Sequence, residues 1–199
     1  NLYLVPASRD LSGAEIELVE AERRAHRLTE ALETPHVLPE IGGATESPGR
    51  GFDYVLIDCP PSLTLLTLNA LVAADSLLVP LQCEFYALEG LTHLMRTIEQ
   101  VKRAFNPELS IQGIVLTMFD KRNNLCELVA ADVRQHLGST VYDTIIPRNV
   151  KISEAPSHGK PVLIYDMRST GAQAYIRLAR EVLTREGQPL TPATMTQER

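Results

Sequence analysis

The sequence contains no run of about 18 uninterrupted apolar residues, the least that a bilayer-crossing helix needs. Its first ten residues also lack the basic start and apolar stretch of a secretory signal. Both absences lead to the expectation of a soluble, cytosolic protein. The three cysteines, Cys59, Cys83 and Cys126, are scattered and form no C-x-x-C pair, so a disulfide frame, a zinc site and an iron–sulfur cluster have no support. Buried or half-buried free thiols are expected instead. The histidines, His26, His36, His93, His136 and His158, show no metal-ligand spacing and no partner serine, and no chemistry is assigned to them. No basic surplus is present either: 19 Lys and Arg against 25 Asp and Glu leave a net charge of −6, which argues against a nucleic-acid partner. That average conceals a split. Residues 1–112 hold 8 basic against 16 acidic side chains, whereas residues 113–185 hold 10 against 7.

What is present is apolar material enough for one full core, 44% of 199 residues, distributed in an alternating pattern. Short apolar runs predict strands at residues 2–5, 54–57, 76–81, 111–118 and 141–146. Stripes at three- and four-residue spacing predict helices at 18–32, 64–74, 88–105 and 127–137, and a last one with Tyr175, Leu178, Ala179 and Val182 on one face. Strands alternating with helices read as an α/β fold, a mostly parallel central sheet flanked by helices. Residues 1–185 are expected to form a single domain, and 186–199 a polar, disordered tail. Three prolines and four glycines mark 33–51 as a loop.

The run Phe52-Asp53-Tyr54-Val55-Leu56-Ile57-Asp58-Cys59-Pro60-Pro61-Ser62 carries the most chemical information. An apolar strand ending in one Asp sets a carboxylate at the carboxyl edge of a parallel sheet, where open α/β folds bind ligands. Magnesium takes hard oxygen ligands and keeps several waters, so a single Asp58 can hold the ion of a bound nucleotide. On this pattern alone, an Asp that caps or braces the loop fits equally well.

Further blocks narrow the choice. Asp58-Cys59-Pro60-Pro61-Ser62 with Thr67-Leu68-Asn69-Ala70-Leu71 resembles the Walker B and switch region of the ParA and Soj partition ATPases, of the same superfamily as MinD. The resemblance extends through the block from Val79 to Gly90, the block from Ile146 to Pro161, and Tyr165-Asp166 with Ser169-Thr170-Gly171-Ala172, in the family's order. It implies a P-loop NTPase fold of deviant Walker A type, ATP and Mg2+ as cofactors, and Asp58 as the catalytic and metal-binding carboxylate. It implies that Pro147 and Asn149 flank the adenine. An Asn offers donors and acceptors to a base edge, although a loop Asn satisfying nearby backbone is the alternative. It implies non-specific DNA binding through Arg122 and Lys151, with Arg148, Lys121 and Lys160 as weaker candidates, all in the locally basic half. Phosphate neutralisation needs only a few well-placed cations, so the acidic total is no bar.

The family's further implications are a homodimer switched by ATP, a ParB-type partner, and a cytoplasmic, nucleoid-associated location without membrane attachment. A MinD-like membrane anchor would need a basic amphipathic C-terminal helix, which residues 188–199, with two prolines and no apolar stripe, do not supply. One departure stands out: no G-x-x-x-x-G-K-[ST] segment occurs, and the N-terminal strand and P-loop of the family have no counterpart in these 199 residues. The isolated polypeptide is therefore expected to be inactive as an ATPase. The competing expectation is a degenerate, non-catalytic DNA-binding or scaffold relative that has lost nucleotide binding.

Overall fold

An apolar segment becomes a strand only when a neighbour takes up its backbone N–H and C=O groups, and this requirement divides the predicted strands into two sets. A computed structural model describes residues 2–34 and 52–187. The expected loop at 33–51 and tail at 186–199 lie almost wholly outside the described residues. The chain divides into two compact units, Asn1–Ser76 with Met95–Ser110, and Leu77–Leu94 with Ile111–Arg199.

The first unit holds the helices α1 (Ala14–Glu17), α2 (Arg27–Glu33) and α3 (Leu65–Ala73), and the second half of α4 (Ala87–Ala104), which buries Ile98 and Val101. The single helix predicted at 18–32 is interrupted. Arg23 takes a left-handed φ of 51°, and a 3-10 turn spans Arg24–His26. The cause is visible in α3. The buried Asn69 carboxamide accepts from the Leu28 N–H at 3.1 Å and donates to the Arg24 carbonyl at 2.8 Å. Those are the two groups that a continuous helix would bond to each other, so the side chain is spliced into the ladder. Asn106 closes the other end of α3, its amide lying within hydrogen-bonding reach of the Leu71, Val72 and Ala74 carbonyls.

Residues 2–5 and 54–57 form no strand here, a correction to both predictions. Leu2, Leu4, Val5 and Leu56 are 82–95% exposed, and the Tyr3 and Phe52 rings meet edge to face at 5.6 Å. The apolar pattern is present, but among the described residues no neighbouring strand completes a ladder with it.

The second unit contains the sheet, in the order β1 (Ser76–Gln82), β2 (Ser110–Phe119), β3 (Val141–Pro147), apart from the first residues Ser76 and Ser110, which belong to the first unit. These are the predicted spans to within a residue. β2 and β3 run parallel, with Phe119 opposite Pro147. The Cys83 N–H donates to the Thr117 carbonyl at 3.3 Å, which brings the end of β1 to the same edge. Gly113, Ile114, Val115 and Leu116 are all buried, as a strand covered on both faces requires. α5 (Asn124–Leu137) buries Cys126, Val129, Ala130 and Val133, an i, i+3, i+4, i+7 stripe.

Residues 150–165, for which no element is predicted, form α6 (Val150–Glu154), a 3-10 turn (Ala155–His158) and α7 (Val162–Tyr165), each too short to carry a periodic signal. α8 (Thr170–Arg185) packs on β3, where Ala174 and Leu178 join Val115, Tyr142 and Ile146 in one core cluster. Its predicted face shifts: Tyr175 is 41% exposed and Ala179 is exposed, because Ala174, Leu178 and Val182 are the residues turned to the sheet. No helix of the described residues is long and apolar enough to cross a membrane.

Candidate functional site

Because Phe119 and Pro147 end parallel neighbours in register, the loops after β2 and β3 leave the sheet side by side. The Arg148 N–H extends the ladder by one bond, to the Phe119 carbonyl at 2.9 Å. Just before Phe119, Met118 adopts a φ of +53° within a register shift between Leu116 and Phe119. This is a bulge, which bends the strand and re-aims the loop residues beyond it. The result is that Arg122, Pro147, Arg148, Asn149 and Lys151, all singled out from sequence, gather at one edge of the second unit.

Their engagements differ. The Arg122 side chain is 89% exposed, yet its guanidinium donates twice to Asp120, at 3.0 and 2.8 Å, and its own N–H donates to the same carboxylate at 3.0 Å. Hydrogen bonds from Arg122 hold the Asp120 carboxyl down to about 2, with the positive charge of Arg148 adding to the effect. Arg148 itself is exposed. Asn149 is the N-cap of α6: its Oδ1 accepts from the Lys151 N–H at 2.9 Å and its amide donates to Thr170 Oγ1 at 2.8 Å. The side chain thus satisfies a nearby backbone N–H. Capacity remains, since an amide has two N–H donors and its oxygen two acceptor sites.

Lys151 donates to Glu154 at 2.8 Å and lies 5.7 Å from the Tyr165 ring centre. The Tyr165 hydroxyl donates to the same Glu154 oxygen at 3.1 Å, and the His158 ring stacks on Tyr165 at 4.9 Å. Hydrogen bonds from Lys151 and Tyr165 lower the Glu154 carboxyl, and Glu154 in turn raises both Lys151 and Tyr165. Asp120, Glu154 and Tyr165 were given no role from the sequence. The available signal was spacing, an Asp two before Arg122 and a Glu one helical turn after Lys151.

Asp58 stands in the first unit, exposed, on the segment that forms no strand. Cys59 beside it is exposed, against the expectation for the cysteines. Its thiol is pushed up by partial burial and by the Asp58 charge. Cys83 and Cys126 are buried as expected, and burial pushes Cys83 up to about 11. Among the described residues no three His, Cys, Asp or Glu side chains are grouped to hold a metal. A lone exposed carboxylate fits an ion that keeps most of its water, as magnesium does, and does not fit one that needs a protein cage.

The sheet, with β2 and β3 parallel and helices packed on it, defines an α/β protein. A family model described as "AAA domain" matches residues 1–111. The chromosome partitioning protein ParA of Caulobacter vibrioides is 60% identical over 185 residues, covering 93% of this chain and 65% of that protein. The sporulation initiation inhibitor protein Soj of Bacillus subtilis is 50% identical over 182 residues, covering 92% and 67%. Among solved structures, a cobyrinic acid a,c-diamide synthase from Mycobacterium smegmatis with bound ADP and magnesium superposes with a TM-score of 0.68 at 33% identity, covering 94% of this chain and 66% of that one. The chain belongs to the ParA/Soj family of chromosome partitioning ATPases. It spans about two thirds of the length of the relatives it matches.

Proposed function

We propose that the protein carrying this sequence is an ATP-dependent DNA-segregation protein of the ParA/Soj type. In this reading ATP and Mg2+ close a homodimer, the dimer holds DNA without reading its sequence, and a ParB-type partner stimulates hydrolysis and release. The supporting observation is the gathering of Arg122, Arg148 and Lys151 on the edge that also bears Pro147 and Asn149, in a chain 50–60% identical to partition proteins. Contacts from Arg and Lys to phosphate oxygens carry no sequence information, which gives binding without sequence preference. DNA binding of this kind places the protein on the nucleoid, in the cytoplasm.

The nucleotide reading draws on the Mycobacterium smegmatis relative, which holds ADP and magnesium. Asp58 supplies a carboxylate oxygen to the ion. Pro147 restricts its loop through its fixed φ, and Asn149 offers its remaining amide donor and acceptor to the base edge. The metal, when bound, neutralises charge that develops on the phosphates.

Two substitutions in the full-length form of the protein, in which a P-loop segment is present, test these roles. Arg122→Glu leaves ATP turnover intact but weakens binding to duplex DNA and lowers the salt slope of log K by about 1; unchanged DNA affinity removes Arg122 from the interface. Asp58→Ala brings magnesium-dependent hydrolysis close to background, and normal turnover removes Asp58 from the metal site. The isolated 199-residue polypeptide, which contains no G-x-x-x-x-G-K-[ST] segment, turns over ATP no faster than background.

A further inference from the structure

Both cations with the strongest assignment to DNA already face a carboxylate of their own chain, and the two pairs are built differently. Asp120 and Arg122 sit two residues apart in a loop, and the Arg122 N–H shares the carboxylate, so that pair belongs to the turn itself. Lys151 and Glu154 lie one turn apart on α6, and Glu154 is gripped from a second side by the Tyr165 hydroxyl at the end of α7. Tyr165 is in turn braced by the His158 ring. The carboxylate therefore stays in place when the flexible lysine moves. The charged groups that bear on it are Lys151 and His158, and Asp166 acts on Lys151 and Tyr165 beside it.

We propose that Glu154, positioned by Tyr165, is a fixed counter-charge that competes with DNA phosphate for Lys151 and so limits the strength and salt dependence of non-specific binding. This rests on the DNA-binding reading of the same edge. A phosphate that approaches Lys151 meets an ammonium with one N–H already given to Glu154 and a second anion beside it. Either the lysine swings away, breaking the pair, or two anions share one cation. In both cases the contact releases less counterion than a free lysine would. Partly exposed ion pairs are weak, so phosphate wins the competition, but at reduced affinity. The residue acts through Lys151 and does not itself touch DNA.

The test is the binding of a mixed-sequence duplex to the purified full-length protein with Mg-ATP, read by fluorescence anisotropy across a salt series. Glu154→Gln keeps the shape and loses the charge. It is expected to bind about two- to fivefold tighter at low salt, with the log K against log salt line steeper by up to about 0.9 for each lysine released. Tyr165→Phe leaves the charge but loosens its anchor, and shifts both readouts less, in the same direction. In a Lys151→Gln background, Glu154→Gln is expected to change neither. The proposal is overturned if Glu154→Gln binds equally or more weakly, or if its gain persists without Lys151, which would mark a general charge effect. Failure of the underlying reading looks different: Lys151→Gln and Arg122→Glu would then bind DNA like the unaltered protein.

Discussion

At the scale of single residues, Asn69 and Asp120 show side chains doing what backbone or solvent would otherwise do. Asn69 is 4% exposed and bonds the Leu28 N–H and the Arg24 and Leu65 carbonyls. Replacing it by alanine strands a buried donor and acceptor of the interrupted helix. Asn69→Ala is expected to lower the unfolding free energy by about 1–3 kcal/mol, measured by urea denaturation. Asp120 supplies a pH prediction. Its folded carboxyl sits at about 2, below the ordinary value of 3.8, so its link to Arg122 is intact above about 4 and fades as pH falls toward 2. A carbon-13 titration of the Asp120 carboxyl should show that low midpoint, and Arg122→Ala should move it up toward the ordinary value. A midpoint unmoved by Arg122→Ala would show that the pairing is not formed in solution.

Between elements, close approach is decided by two glycines. A Cβ on Gly113 would stand 2.3 Å from the Tyr142 ring, and that ring has little freedom. It is fully buried, its hydroxyl donates to Gln112, and the Arg185 guanidinium lies 4.1 Å from its centre. Gly113→Ala is therefore expected to force β2 and β3 apart locally and cost about 1–3 kcal/mol, a loss that a thermal melt will register. Gly171, at the start of α8, plays the same part toward α6. A Cβ there would meet Ile152 at 2.6 Å and Asn149 at 3.2 Å. Gly171→Ala should displace Asn149 from its N-cap position, with a chemical-shift change at Lys151 N–H as the signature.

For the molecule as a whole, the unevenness of burial matters most. The second unit buries the middle of its central strand, Gly113 to Leu116, whereas the first leaves Leu2, Leu4, Val5, Val55 and Leu56 more than half exposed. Apolar segments in that condition invite pairing with another chain. The isolated 199-residue polypeptide is expected to self-associate with rising concentration in sedimentation velocity runs, and Leu4→Lys with Leu56→Lys should shift it toward monomer. If it stays monomeric at high concentration, these segments are covered in solution. The charge split acts at this scale too, since the positive surplus falls in the stretch 113–185 that builds the loop edge.

Read from residues alone, the alternation of apolar runs and stripes determined β1, β2, β3, α3 and α4 to within a residue, and α5 except for its first three residues, because burial against a sheet imposes a period on the chain. The motif blocks likewise determined the family and which cations to examine. Three matters were decided only by tertiary structure. Whether the 54–57 run is a strand depends on a partner for its backbone, which no local pattern encodes. The break in the helix at 18–32 comes from an amide some forty residues away in sequence. The pairing of Lys151 with Glu154 was latent in their spacing, but the anchor that fixes Glu154 is a tyrosine from another helix, and only the folded chain brings that hydroxyl to the carboxylate.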